Sequence, residues 1–269
     1  MNERFLPLQA LPAALIEGLF TDLDDTLTTD GQLSAEAFAA LDRLARSGVR
    51  VVPVTGRSAG WCDLIVRLWP VAAVIGETGA FCMIREGGSV RVIPMQSEAE
   101  QAATATHRER IAQRVLQEVP QARLAGDQPY RRVDLAIDIA EAVARLPEDL
   151  IGRIIDIMRE EGMQAQPSSI HVNGWFGGFD KGSSALRLLA EQWGIDRTHA
   201  QAHWACVGDA PNDAPLFAAF AHSVGVANLT RHLDRMASLP RYLTDASHGA
   251  GFAELARHLI DARASALDS

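Results

Sequence analysis

The sequence has little of what marks a secreted, membrane-spanning or nucleic-acid-binding chain. It holds only three cysteines in 269 residues, Cys62, Cys82 and Cys206. They lie far apart, form no C-x-x-C pair and sit in apolar or mixed stretches. They are expected to be buried free thiols in a reducing compartment, and their spacing argues against a zinc site. No run reaches the roughly 18 apolar residues of a membrane span. Met1 to Gly18 lack a basic region followed by an apolar run and a small-residue cleavage site, so no secretory signal is expected and the chain reads as cytoplasmic. There are no internal repeats and no low-complexity tracts. Positive charge is in deficit: 25 Lys and Arg stand against 34 Asp and Glu, a net charge of -9. A global negative field repels nucleic acid and anionic lipid, so neither is an expected partner. It also repels phosphate. A site for a phosphorylated ligand must therefore bring its own local positive charge, from a divalent metal, a lysine or helix N-termini.

What is present is ordinary globular composition, 48% hydrophobic and 22% charged. The length suits one large domain or two modest ones. Near the start, Glu17 to Thr21 reads as a short apolar strand that runs into Asp22-Leu23-Asp24-Asp25. Ser34 is placed to cap a helix with Phe38, Leu41, Leu44 and Ala45 on its apolar face, and Gly48 to end it. Residues 49–54 form a buried-type strand ending at Thr55-Gly56-Arg57, and Ser58 is placed to cap the next helix. Residues 71–75 form a third strand. Apolar strands alternating with helices predict a parallel sheet covered on both faces.

The pattern changes at Arg85-Glu86-Gly87-Gly88, a turn-rich junction. A long polar helix is expected over Ser97 to Val119. Residues 132–139 alternate, with Val133, Leu135, Ile137 and Ile139 on one face and Arg132, Asp134, Ala136 and Asp138 on the other, which predicts a half-exposed strand of an antiparallel sheet. A helix over Pro147 to Glu161 and one or two strands between Met163 and Val172 follow. After a glycine-rich return at Gly174 to Gly178, the alternation resumes: a helix from Lys181, a strand from Trp204 to Val207 ending at Gly208-Asp209, a short helix from Asp213 and another strand at Ser223 to Val226. The fold class expected is therefore α/β: a doubly wound core, residues 1–84 and 178–269, interrupted by a smaller α+β insertion over 85–177.

Four polar clusters fall at strand ends or helix starts of the core: Asp22 to Thr26, Thr55 to Arg57, Lys181, and Gly208-Asp209 with Asn212-Asp213. Ligands of an open parallel sheet bind beyond the carboxyl ends of its strands. Each cluster alone has an ordinary reading as a turn, a helix cap or a solvated helix end. Together they converge on one edge, where carboxylates repel unless a cation joins them. Carboxylate oxygen is the ligand that magnesium prefers.

In this order and setting the sequence resembles the haloacid dehalogenase superfamily over almost its whole length. The D-x-D-x-T motif reads Asp22-Leu23-Asp24-Asp25-Thr26. The strand-ending Thr is Thr55, the helix-opening Lys is Lys181, and Gly208-Asp209-Ala210-Pro211-Asn212-Asp213 is close to G-D-x-x-N-D. The resemblance implies a Mg2+-dependent phosphatase. In it Asp22 is the nucleophile that becomes an aspartyl-phosphate, and Asp24 is the acid and base. Magnesium is held by Asp22, Asp209 and the carbonyl of Asp24, with Asp213 in support. Thr55 and the amide of Gly56 bind phosphate, joined by Arg57 as a substrate contact, and Lys181 offsets the charge. Asp25 stands where many relatives have Gly, an extra carboxylate whose role does not follow from the sequence.

An insertion between the second and third motifs resembles the large α/β cap of the Cof-type, trehalose- and sucrose-phosphate phosphatases and the eukaryotic phosphomannomutases. Ile75 to Ala80 is similar to their E-N-G-A segment, with Thr78 in place of Asn. That implies a small phosphorylated metabolite as partner, a sugar phosphate above all, in a monomer or homodimer. Candidate substrate contacts are Glu77, Thr78, Arg131, Arg132, Asn173 and Trp175, with His171 read as structural. Trp175 suits either stacking on a sugar ring or anchoring the hinge. Arg131-Arg132 could grip a second phosphate, which keeps a phosphomutase open as the alternative. A non-enzymatic binding protein would have lost Asp22, Asp24, Lys181 or Asp209, and none is lost.

Overall fold

The computed structural model describes residues 4–267. After the short strand β1 (Leu6–Pro7) the chain enters β2 (Gly18–Thr21), every residue of which is buried. Helix α1 (Ala35–Arg46) starts where the Ser34 hydroxyl accepts the Ala37 amide at 3.1 Å, with Glu36 in the first turn at the positive end of the helix dipole. β3 (Arg50–Pro53) then pairs parallel with β2, Leu19 beside Val51 and Phe20 beside Val52. Helix α2 (Ala59–Leu68) leads to β4 (Val74–Gly76), which joins the sheet through a parallel bridge between Val54 and Ile75.

Ser58 does not cap α2 with its side chain. The first amides of that helix are taken from outside: Ser58 donates to Asp127 at 3.2 Å and Ala59 to Glu77 at 3.1 Å. The turn at residues 85–88 is also not a junction. It closes a hairpin of β5 (Phe81–Glu86) and β6 (Ser89–Pro94), laid antiparallel on β4, with Gly87 at φ 59°. The chain stays beside the parallel sheet until Pro94. No residue of β6 is fully buried, three being exposed and three partly covered, so it lacks the apolar run that would have shown it.

Helix α3 (Glu98–Glu118) opens on a reciprocal cap between Ser97 and Glu100. With β7 (Arg123–Leu124), β8 (Leu135–Asp138), α4 (Glu148–Glu160), β9 (Gln164–Pro167) and β10 (His171–Trp175) it builds a second layer. Its sheet is antiparallel, in the order β7-β8-β10-β9. Ile111 and Val115 of α3 and Ile151, Ile154 and Ile157 of α4 pack on Leu135, Ile137 and Val172. The face expected to be solvated is not. Asp134, Asp138, His171 and Asn173 are each no more than 2% exposed: Asp134 and Asn173 lie in the network that meets Gly56 in a loop of the parallel sheet, and Asp138 and His171 are held by the 140–142 turn. Alternation of apolar and polar residues shows that a strand has two different sides; it does not say that the polar side meets water.

The chain then returns through α5 (Lys181–Trp193), α6 (Arg197–His203), β11 (Trp204–Gly208), α7 (Ala214–Ala219), β12 (His222–Gly225), β13 (Tyr242–Leu243) and α8 (His248–Leu267). The main sheet has the order β1-β13-β12-β11-β2-β3, parallel throughout. Leu19, Val51 and Val207 face α1, α2 and α8, while Phe20, Val52 and Cys206 face α5 and α7. Strands buried on both sides need apolar residues at consecutive positions, each full burial contributing about 1.5–3 kcal/mol. β2 lies between β3, which follows it, and β11, which comes after the excursion. That reversal opens a crevice beyond the carboxyl ends of β2 and β11. Among the described residues no helix is long and apolar enough to cross a membrane.

Candidate active site

Asp22 and Asp209 follow directly on β2 and β11, so the parallel pairing of these strands sets them side by side. The Asp22 amide donates to the Val207 carbonyl at 2.9 Å. Asp213 sits in the turn before α7 and approaches so closely that a Cβ on Gly208 would lie 2.4 Å from its carboxyl carbon. One oxygen of Asp213 accepts the amides of Asp209 and Ala210, and the other accepts Lys181 Nζ at 2.7 Å. Lys181 opens α5, held there by the reciprocal cap of Asp180 and Ser183, and its Nζ also donates to Asp22 Oδ1 at 2.8 Å. Asp22, Asp209 and Asp213 each present an oxygen within 4.8 Å of the others, all buried.

Charge in this cluster does not balance. Burial pushes the Asp22 carboxyl up to about 7, with the charge of Asp213 adding to it and Lys181 opposing. Burial and the charges of Asp22 and Asp213 push Asp209 well above the usual carboxylate range. Burial works against the Lys181 ammonium, but Asp213 and Asp22 outweigh it and raise its pKa. Three buried carboxylates around one ammonium are short of positive charge, and hard oxygen donors suit a divalent cation of the magnesium type. Thr26 Oγ1 and Asn228 Nδ2 donate to Asp209 at 2.9 and 3.1 Å, fixing its carboxylate. Asn228 also donates to the Asp25 carbonyl at 2.9 Å, and Asp25 is held at φ 57°.

Asp24 belongs to a second group. Arg57 grips both of its oxygens, with Nε at 2.9 Å and Nη2 at 2.7 Å. The third nitrogen of Arg57 binds Glu141 of the second layer, and the Trp61 ring lies 5.1 Å from the guanidinium carbon. Glu141 in turn meets His171 Nε2 at 2.8 Å. The hydrogen bond from His171 and the charge of Arg57 hold the Glu141 carboxyl at about 2 against burial, so it is ionised at neutral pH. Thr55 Oγ1 accepts the Arg57 amide at 3.0 Å, which leaves its hydroxyl proton for a ligand. The Ser58 hydroxyl beside it is buried without a protein partner.

The remaining candidates have other work. Arg131, with a fully buried side chain, is held by Asp127 and Asp134 and donates to the Gly56 carbonyl at 2.7 Å. Glu77 accepts the amides of Ala59, Arg132, Val133 and Asp134. Thr78 is buried at φ 59°, its hydroxyl without a partner. Asn173 donates to Asp134 at 2.7 Å and to the Gly56 carbonyl at 3.3 Å. Arg132 is exposed, and only its backbone reaches this network. Trp175 is buried, giving its Nε1–H to the Phe179 carbonyl at 3.0 Å where the chain returns to the parallel sheet. Glu77, Arg131, Asp127 and Asp134 thus fasten the second layer over the 55–58 loop. The sequence offered no signal for Glu141 or Asn228, since neither lies in a patterned cluster. Thr26 was visible as part of its motif.

Residues 19–119 match the family described as haloacid dehalogenase-like hydrolase. A protein of Methanothermobacter thermautotrophicus named phosphoglycolate phosphatase is 28% identical over 250 residues, 91% of this chain and 99% of its own. One of the same name from Pyrobaculum neutrophilum is 30% identical over 242 residues, 88% of this chain and 92% of its own. Among solved structures, the C-terminal domain of trehalose-6-phosphate phosphatase from C. albicans superposes with a TM-score of 0.71 at 14% identity, covering 97% of this chain and 99% of that one.

Proposed function

The chain belongs to the haloacid dehalogenase-like hydrolases and is a phosphoric monoester hydrolase, and from that premise we propose that it is Mg2+-dependent and passes the phosphoryl group of a small metabolite through Asp22. The observation that carries this reading is Lys181, buried between Asp22 and Asp213 beside Asp209 at the carboxyl ends of β2 and β11. Lys181 holds one oxygen of Asp22 and so orients the carboxylate. Asp22 attacks phosphorus as the ester P–O bond breaks, and Asp24 gives its proton to the departing alkoxide. Asp24 then takes a proton from the water that attacks phosphorus and releases Asp22. Thr55 and the Gly56 amide bind phosphate oxygens, and Lys181 offsets the charge that gathers as they bind. Asp22, Asp209 and the Asp24 carbonyl, with Asp213 in support, would hold magnesium, which when bound would supply the missing positive charge and polarise the phosphate. Arg57 holds Asp24 in place from the side.

The second layer, which begins after β6 and not at residue 85, acts as a cap over the site and excludes water during transfer. The substrate favoured is a sugar phosphate, which the likeness to the trehalose-6-phosphate phosphatase supports. The name shared by the two relatives favours a second reading, a phosphate ester of a small hydroxycarboxylate such as phosphoglycolate. A phosphomutase is less well supported: Arg131 is enclosed by two aspartates and Arg132 points outward, so neither offers a grip for a second phosphate. The test is phosphate release from a panel of hexose, pentose, disaccharide, glycerate, glycolate and nucleotide phosphates with magnesium, beside Asp22→Asn and an EDTA-treated sample. Release by the untreated protein alone supports the mechanism, and the best ester names the class. No release from any ester, with magnesium bound, overturns it.

A further inference from the structure

At the opposite end of the main sheet, Glu17 immediately precedes β2 and His203 immediately precedes β11. His199 lies one helical turn before His203 on α6, so the two imidazoles share one face of that helix; their ring centres are 4.4 Å apart. Glu17 reaches both, with Oε2 at 2.9 Å from His199 Nε2 and Oε1 at 3.6 Å from His203 Nδ1. The three residues each offer a donor atom within 4.8 Å of the other two. Donors about 2.0–2.1 Å from a tetrahedral zinc ion stand about 3.3 Å apart, and the two separations to Glu17 bracket that value.

The geometry points to a second metal site here, one for a transition-metal ion of the zinc type. Two imidazoles and a carboxylate are borderline donors, which prefer zinc to magnesium, whereas the all-carboxylate cluster at Asp22 prefers magnesium. All three side chains are partly open to solvent, so an ion can enter and water can complete its shell. His203 Nδ1 also lies 2.9 Å from the Leu15 carbonyl, so an ion taken up at this nitrogen replaces that hydrogen bond and displaces its proton. β2 separates Glu17 from Asp22, so the strand carries the chain on the order of 16 Å from this site to Asp22. The ion therefore takes no part in phosphoryl transfer. It clamps the entry to β2 against the entry to β11, the two strands that carry Asp22 and Asp209, and binding to the folded chain alone raises stability by mass action.

The test is titration of the full-length protein with Zn2+ in a large excess of Mg2+, beside His199→Ala, Glu17→Gln and Asp209→Asn. Co2+ serves as the visible-absorption probe of a tetrahedral site. The expected result is one zinc bound by the wild type and by Asp209→Asn, a raised melting temperature in both, and a tetrahedral cobalt spectrum. His199→Ala and Glu17→Gln should each weaken binding at least about tenfold and abolish the melting shift, with magnesium-dependent phosphate release unchanged. Zinc binding lost in Asp209→Asn but kept in His199→Ala would place the ion in the carboxylate cluster and overturn the site. So would binding that neither surface variant alters.

Discussion

At the scale of single residues, the candidate site divides into a charge cluster around Lys181 and a clamp around Arg57. Asp22→Asn keeps the shape of the proposed nucleophile and removes its charge; phosphate release should fall on the order of 10^4-fold or more in a fixed-substrate assay. The variant should still fold, because the amide can accept Lys181 Nζ where Oδ1 does now. Arg57→Lys tests the clamp. An ammonium cannot grip both oxygens of Asp24 while also holding Glu141, so Asp24 loses its fixed direction. A misplacement of this kind should lower kcat about 10–100-fold, with a smaller change in KM. Equal kcat in Arg57→Lys and wild type would show that Asp24 is oriented by something else. The sequence displayed the first cluster because its members are fixed by strand ends and helix starts. It did not display the clamp as a unit, because Glu141, itself bonded to His171, reaches Arg57 only once the second layer has folded over the loop.

At the scale of elements, that layer is fastened by groups that looked from the sequence like ligand contacts. Arg131→Ala leaves Asp127 and Asp134 buried without their cation, and Asp127 also caps α2 through Ser58. Breaking a buried ion network by one partner destabilises by about 3–5 kcal/mol, so the denaturation midpoint should drop clearly. Glu77→Gln should lower it less, by about 1–3 kcal/mol, since one oxygen remains to accept amides while the other position becomes a donor facing donors. A surface role for either residue would leave the midpoint near that of wild type. The helices that the sequence marked out were legible to within a residue or two, as α3 and α4 show, because their caps and periodic apolar faces are local features, whereas α6 and α8 were not foreseen. The β5–β6 hairpin was not legible, because no residue of its second strand is fully buried and no apolar run marks it. Nor was the burial of Asp134, Asp138 and Asn173, since it depends on what the polar face of the sheet packs against.

At the scale of the whole molecule, the uncompensated carboxylates couple stability to pH and to a cation. Burial moves Asp22 from its ordinary value of 3.8 to about 7 in the folded, metal-free protein, and Glu77 from 4.5 to about 7. Between those values the folded chain keeps protons that the unfolded chain has released. Stability of the metal-free protein should therefore fall as pH rises from about 4 to about 7, the reverse of what a salt-bridged carboxylate gives. A cation at the cluster favours the ionised forms of Asp22 and Asp209 and removes their share of that loss. Glu77 lies in the network under the second layer, so its share is the same with and without the ion and cancels in the difference. The melting shift produced by magnesium over EDTA should accordingly grow from about pH 5 to about pH 8, because fewer protons must be displaced when the ion binds. Thermal unfolding in matched buffers across that range measures it. A shift that stays constant with pH would mean that the ion binds away from these carboxylates, and the charge argument for the site would fail with it.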